Sequence, residues 1–477
     1  MSSTLSRRRL LQSVALVGLS ACNSGSGGLS RSGPTSMVPS TELPRSGQAA
    51  SALLNRQLER ATFGVTAPLL ASVSKVGFEA WLDAQLATDA LNADANAAEP
   101  LGAVEAHLGD LVPDRAMSKE LATEVARRSI ETLTGRTILG AAFAEDQLRQ
   151  RVLDVLADLL HVSSAQRPEL FFMPDYDRML RDGAFGRFSD LLVSTARHPA
   201  MLLYLDQARS RADGDRTPNE NYAREVMELH TLGVDGGYDE GDVKELAHVM
   251  TGWSLDKSSG AFVFRSAWHD LGPMSSGGDI VGWRPSKDQV GEEAGRAALE
   301  HLARHRGTAE RIAHLFARRF VSESIQRDDP LVEEAAAVYL ERDTEIGPVV
   351  RHLLTSERFA DSATLMVRRP IDLVAHTLRV TSATLEVGEN GDPVLRSLVG
   401  LMRVLGQVPY AWPSPDGYPF GSAVWSNPGA MIGRWNAIVT LAVASNGGVV
   451  VLDPSALGAG DGTELVEALC GPEHQVY

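Results

Sequence analysis

At 477 residues, with 44% hydrophobic and 22% charged side chains, the chain has the composition of a globular protein and length for one large domain or two or three ordinary ones. A net charge of −16 argues against a nucleic-acid surface and suits a body that does not rely on adhesion to anionic lipid headgroups. The two cysteines, Cys22 and Cys470, lie in no CxxC or CxxCH spacing, which excludes iron–sulfur clusters, zinc knuckles and a disulfide framework.

Residues 1–21 read as an export signal. Ser6-Arg7-Arg8-Arg9-Leu10-Leu11 resembles the twin-arginine motif, and the apolar run to Ala21 has the length of a signal core, too short to span a bilayer. Leu19-Ser20-Ala21-Cys22 resembles a lipoprotein box, in which the Cys22 thiol is diacylated. The expected location is therefore the periplasmic face of the envelope, with the bilayer as a partner through Cys22. Residues 22–50, rich in Ser, Gly and Pro, read as a disordered tether.

From Ser51 apolar residues recur at helical spacing. Breaks are expected at Phe63-Gly64 and Val76-Gly77. An Ala-rich acidic connector covers 91–115. A long helical region runs from 118 to 161, with a break at Gly135 or Gly140. His198-Pro199 divides the next helices, because the residue before proline leaves the α region. Ala261-Phe262-Val263-Phe264-Arg265 has strand propensity. A glycine-bearing loop follows it to about 286, a length that points to function or disorder. Helices return at 291–360, 370, 396–407 and 429–445. Between the last two lies a Pro- and Gly-rich aromatic loop with Trp412 and Trp425, readable as a sugar-stacking surface or as a packed cap. The fold class is mainly α: an orthogonal multi-helix array over 51–477, with at most a short β-hairpin.

Residues 217–253 carry the densest set of ionisable groups. Thr217, Pro218 and Glu220 have the spacing of a capping box with proline at the first helical position, and Gly233 is placed as a C-cap. His230 falls on the apolar arc and reads as a buried, hydrogen-bonded core histidine. A second helix is expected from Asp239, with Val243, Leu246, Ala247 and Met250 inward and His248 on its polar side.

Several stretches then resemble one bacterial family, known as domain of unknown function 1800. They are LLNRQLERATFG (53–64), LRQRV (148–152), PNENYAREVMELHTLGVDGGY (218–238), DVKELAHVMTGW (242–253), FVFRSAWHDLG (262–272) and GYPFGSAVW (417–425). The resemblance covers about 51–470. It implies a mostly helical, exported protein whose gene neighbours a sulfatase-like family, domain of unknown function 1501, a candidate partner. Two departures stand out. Met274 lies near a position where relatives often have lysine after HD-x-G. Where some relatives carry His-x-His after LRQRV, this chain has Ala157-Asp158-Leu159-Leu160 and only His161 nearby. Relatives commonly continue beyond the position of Tyr477, so a shortened C-terminus is expected.

The residues favour one candidate site. Glu225, His248, His269 and Asp270 are metal-ligand types, and His269-Asp270 lies on a loop, where catalytic groups are often placed. Arg224 is an orienting or anion-binding candidate, although Arg224 and Glu228 also have the spacing of a helical ion pair. No HExxH, GxSxG or P-loop spacing is present. The expectation is a metal-dependent envelope enzyme with catalytic Arg224, Glu225, His269 and Asp270. Its divalent metal would be held by Glu225, His248, His269 and Asp270. The alternative is a non-catalytic lipoprotein that binds a sulfatase-like partner or a glycan.

Overall fold

In the computed structural model the described residues are 46–87, 119–164, 169–213, 216–256, 259–270, 278–362, 364–385, 393–445 and 450–477. The export signal, Cys22, the acidic connector and Met274 lie outside them.

The chain is mainly α. The first helix among the described residues, Ser46–Ala61, begins inside the stretch read as tether. The breaks at Gly64 and Gly77 fall as the sequence predicts. The predicted break at Gly135 or Gly140 does not occur: one helix runs unbroken through Lys119–Phe143, and the chain turns at Ala144–Asp146. Gly140 has another use. A Cβ there would stand 2.9 Å from Gln150 Oε1, so the glycine lets the next helix approach closely.

Apolar residues form two clusters. One gathers Leu58, Val152, Leu156, Tyr176, Leu246 and Phe316 with their neighbours. The other gathers Phe63, Ile138, Leu373, Leu398, Ile438 and Leu465. The Lys119–Phe143 helix serves both, giving Leu133 to the first and Ile138 and Leu139 to the second. Between them runs a buried charged seam. Arg151, on the helix Gln147–Leu159, donates to Asp372 Oδ1 at 2.6 Å, on the helix Pro370–Val380. Arg319, from the helix Arg306–Phe320, donates to Asp372 and to Asp154 Oδ2. A buried ion pair is costly unless its geometry and remaining hydrogen bonds are good, so such a seam fixes how the two clusters meet more than it adds stability.

Strand structure is slight. Trp253–Leu255 pairs antiparallel with Phe262–Phe264, the strand expected from sequence. A second two-residue ladder, Thr384–Leu385 with Val450–Val451, exceeds the single hairpin expected. It joins segments far apart in the chain, for which short-range pattern carries no signal.

Candidate functional site

The central stretch differs from its expected form at its start. Helix begins at Asn221, not beside Thr217. The Asn219 side chain accepts from Asn221 N–H at 2.9 Å, so asparagine opens the helix and the Thr217 capping box does not form. After Glu225 the helix widens into a π turn, Val226–His230, closed by Thr231 N–H donating to the Val226 carbonyl at 2.9 Å. Such turns are inserted residues that often mark functional positions. His230 is fully buried, as predicted, but neither ring nitrogen has a hydrogen-bond partner among the described residues. Burial, with Arg311 and His161 nearby, lowers its pKa to about 3. The second helix, Glu240–Val249, follows Asp239 as expected; an Asp239/Asp242 capping box opens it, and Val243, Leu246 and Ala247 are buried.

The proposed four-ligand set is not assembled. His248 Nδ1 lies 2.6 Å from Asp270 Oδ2, both side chains about a quarter exposed. Thr251 joins the turn around them: its hydroxyl donates to the His248 carbonyl at 2.6 Å and accepts from Asp270 N–H at 2.9 Å. His269 belongs to this corner, but its Nδ1 lies 2.9 Å from the Thr251 carbonyl oxygen. Glu225 is elsewhere. Its electrostatic neighbours are Glu228, Arg224 and Asp416, and burial followed by the two acids raises its pKa. Among the described residues no group of three or more His, Cys, Asp or Glu side chains could hold a metal. The residues therefore do not fit a metal held jointly by Glu225, His248, His269 and Asp270.

Arg224 is also committed. It grips Glu240 through Nη1 at 2.7 Å and Nη2 at 2.8 Å, with Glu220 at 3.3 Å. These hydrogen bonds raise its pKa above the ordinary arginine value. The side chain ties its helix to the start of the next, which leaves it poorly placed to receive an anion.

A second, enclosed place emerges from the helix Gln147–Leu159. At about 100° per residue, Gln147, Gln150, Arg151, Asp154 and Asp158 share one face of this helix, opposite Leu148, Val152, Val155 and Leu156. His161 follows just past its end. Loop 409–418 roofs that face. The Tyr418 N–H donates to Asp158 Oδ1 at 3.0 Å, His161 Nε2 to the Trp412 carbonyl at 2.8 Å, and Ser164 N–H to the Tyr410 carbonyl at 2.6 Å. Gly417 makes this approach possible: its φ is +70°, and a Cβ there would lie 2.4 Å from the Asp158 carbonyl oxygen. Tyr410, Tyr418 and Trp425 are buried, so the aromatic loop is the packed cap of the two readings given for it.

Roof and helix enclose a cavity of about 40 Å³ lined by Asp154, Asp158, His161, Arg369, Gln407 and Tyr410, among others. That is room for roughly three water-sized groups. Arg369 Nη2 donates to Asp158 Oδ2 at 2.6 Å. Burial raises the Asp158 pKa, Arg369 opposes the rise and Asp154 adds to it. Burial keeps His161 neutral by lowering its pKa. Gln407 Nε2 and Arg369 Nε are buried without hydrogen-bond partners among the described residues. At the edge of the roof, burial and the carboxylates Glu225, Asp416 and Glu169 push Tyr204 up to about 12. Glu225 thus has Tyr204 and Asp416 among its electrostatic neighbours, and does not line the cavity itself.

Fold and geometry define a helical protein with a roofed, acid-lined cleft. The chain belongs to the family described as "Protein of unknown function (DUF1800)", which matches residues 56–473. No curated protein and no solved structure matches it.

The sequence reading places its candidate site on loop histidines and leaves out the Asp154–Asp158 face. Its signal was available: acids four residues apart, on the same face as Arg151, directly after LRQRV. What the sequence could not show is that Arg319, Arg369 and Asp372 converge on that face.

Proposed function

We propose that the protein is an exported, lipid-anchored envelope enzyme that transfers protons to or from a small polar extracytoplasmic substrate, in the cleft beneath loop 409–418. The observation that carries this reading is Asp158, a buried carboxyl of raised pKa beside a cavity with unpartnered donors. Concave sites with perturbed titratable groups are where acid–base chemistry concentrates. In this reading Asp158 carries the mobile proton. Arg369 orients it, Asp154 tunes it by like charge, and Gln407 Nε2 donates to the bound substrate. The roof excludes water, which strengthens each of these interactions. The His248–Asp270 pair is a second possible base, since a carboxylate on Nδ1 sets the tautomer that leaves Nε2 to accept a proton.

The test is a panel of chromogenic phosphoesters, carboxylic esters, glycosides and amides offered to the mature protein. One class should turn over, with the rate falling at least about 100-fold in Asp158→Asn while the variant remains folded. Turnover that survives in Asp158→Asn and vanishes in His248→Gln would move the chemistry to the second pair. Stoichiometric metal lost in His269→Ala without unfolding would restore the metal-dependent reading. Binding without turnover, with recovery of the sulfatase-like protein in a pull-down, would replace the enzyme with a scaffold.

A further inference from the structure

The charged seam contains more buried cation than its carboxylates balance. Arg60, Arg151, Arg319, Arg368, Arg369 and Arg434 are each at most 6% exposed. The carboxylate side chains that pair with them are Glu59, Asp154, Asp158 and Asp372. Arg60 and Arg434 meet no side-chain carboxylate among the described residues. Arg60 donates to the main-chain oxygens of Tyr477 and Thr364, and Arg434 to Gln475 Oε1 and the carbonyls of Arg368 and Gln475. Among the described residues five of their guanidinium nitrogens have no hydrogen-bond partner: Nε of Arg60, Arg319, Arg368 and Arg369, and Nη1 of Arg368. Buried arginine donors left in this state point to an anion, because a charged group removed from water is expensive unless it is matched.

The centre of the group is occupied by the side chain of Tyr477. The guanidinium carbons of Arg60, Arg151, Arg368 and Arg319 stand 4.7, 4.9, 5.2 and 5.8 Å from its ring centre. Its hydroxyl accepts from Arg319. The ring is brought there by a short antiparallel bridge, in which Tyr477 N–H donates to the Met366 carbonyl at 3.0 Å and Met366 N–H returns the bond at 3.0 Å. Cation–π contacts are favourable, but a neutral ring compensates four cations far less than an oxyanion taking charge-assisted hydrogen bonds.

We propose that this arginine basket is a binding site for a small oxyanion of the phosphate or sulfate class, and that the Tyr477 ring is a plug holding the guest's place. The bridge to Met366 is the only regular pairing described for Val476–Tyr477, so the plug can leave without unravelling a helix. Arginine suits this class of guest because its planar fork matches oxyanion geometry.

Titration calorimetry with inorganic phosphate and with sulfate, at ionic strength fixed by chloride, tests this. Tyr477→Ala should bind one or both saturably, at least about tenfold more tightly than the parent chain. Adding Arg368→Gln should weaken that binding by about tenfold or more. The difference between the two arms assigns the guest as phosphate-like or sulfate-like. A folded Tyr477→Ala that binds neither anion more tightly than the parent overturns the proposal, as does binding indifferent to Arg368→Gln. If Tyr477→Ala is unfolded in chloride, refolding on addition of phosphate or sulfate is the expected result, and failure to refold at saturating anion overturns it.

Discussion

The main-chain N–H of Tyr418 donates to Asp158 Oδ1 at 3.0 Å, which ties the roof of the cleft to the carboxyl on its floor. Arg369 holds the other oxygen of the same group at 2.6 Å. Roof closure and the protonation of Asp158 are thereby linked: whatever charge Asp158 carries is felt by the loop that covers it.

That link has a pH signature. The folded Asp158 pKa is raised, so the native state holds this proton more tightly than the unfolded chain. The stability it contributes is fully present below the unfolded value of about 4 and is lost as pH climbs through the folded value. Asp158→Asn removes the proton from the balance while keeping the oxygen that receives Tyr418 N–H. Urea unfolding at a series of pH values should show the parent losing stability relative to Asp158→Asn as pH rises above about 4. A constant difference across that range would sink the assignment.

Gly417 is expected to tolerate no side chain. Its positive φ and the 2.4 Å approach to the Asp158 carbonyl act together, so alanine must displace the roof or strain it. Gly417→Ala should cost about 1–3 kcal/mol in denaturant unfolding. It should also speed amide exchange at Tyr418, whose bond to Asp158 the displacement breaks. Gly421→Ala, where no atom lies within 4 Å of the added Cβ, is the matched control and should cost much less.

His230 makes an acid-sensitivity prediction of opposite sign. Its folded pKa of about 3 is depressed below the unfolded value, so its contribution is complete above about 6.5 and is lost as pH falls toward 3. Relative to His230→Leu, the parent should lose on the order of 4 kcal/mol between pH 7 and pH 3. Its ring resonances should show no titration above about pH 4 by NMR. A histidine that titrates near its ordinary value would mean that the ring has a partner or access to water.

Envelope attachment is tested at Cys22, which lies outside the described residues. If the Cys22 thiol is diacylated, Cys22→Ser should move the protein from the membrane fraction to the soluble periplasmic fraction, because acyl chains would supply the anchor. Replacing Arg7 and Arg8 by lysine should leave the precursor inside the cell if export uses the twin-arginine motif. Membrane association that persists in Cys22→Ser would remove the lipoprotein reading.

Much of the architecture is local and was legible in the sequence. Helical periodicity places most helices, Pro199 and Gly77 mark boundaries, and the Asp239/Asp242 pair opens its helix as spelled. The family, too, follows from ordered local motifs. The misses share a cause. Gly140 reads as a break until a neighbouring helix is seen to need the space. Thr217 reads as a cap although the helix starts only at Asn221, after a turn held by Asn219. Glu225 and His248 read as one site because they are close in sequence. Hydrogen-bonding residue types record what a group can do, and only packing decides which partner it meets. Residues up to hundreds of positions apart make the cleft and the basket: Arg151 with Asp372, Asp158 with Tyr418, and Arg60 with Tyr477. Burial then sets their chemistry, raising the Asp158 carboxyl and stranding guanidinium donors around Tyr477. No single stretch carries that information, because desolvation belongs to the assembled core.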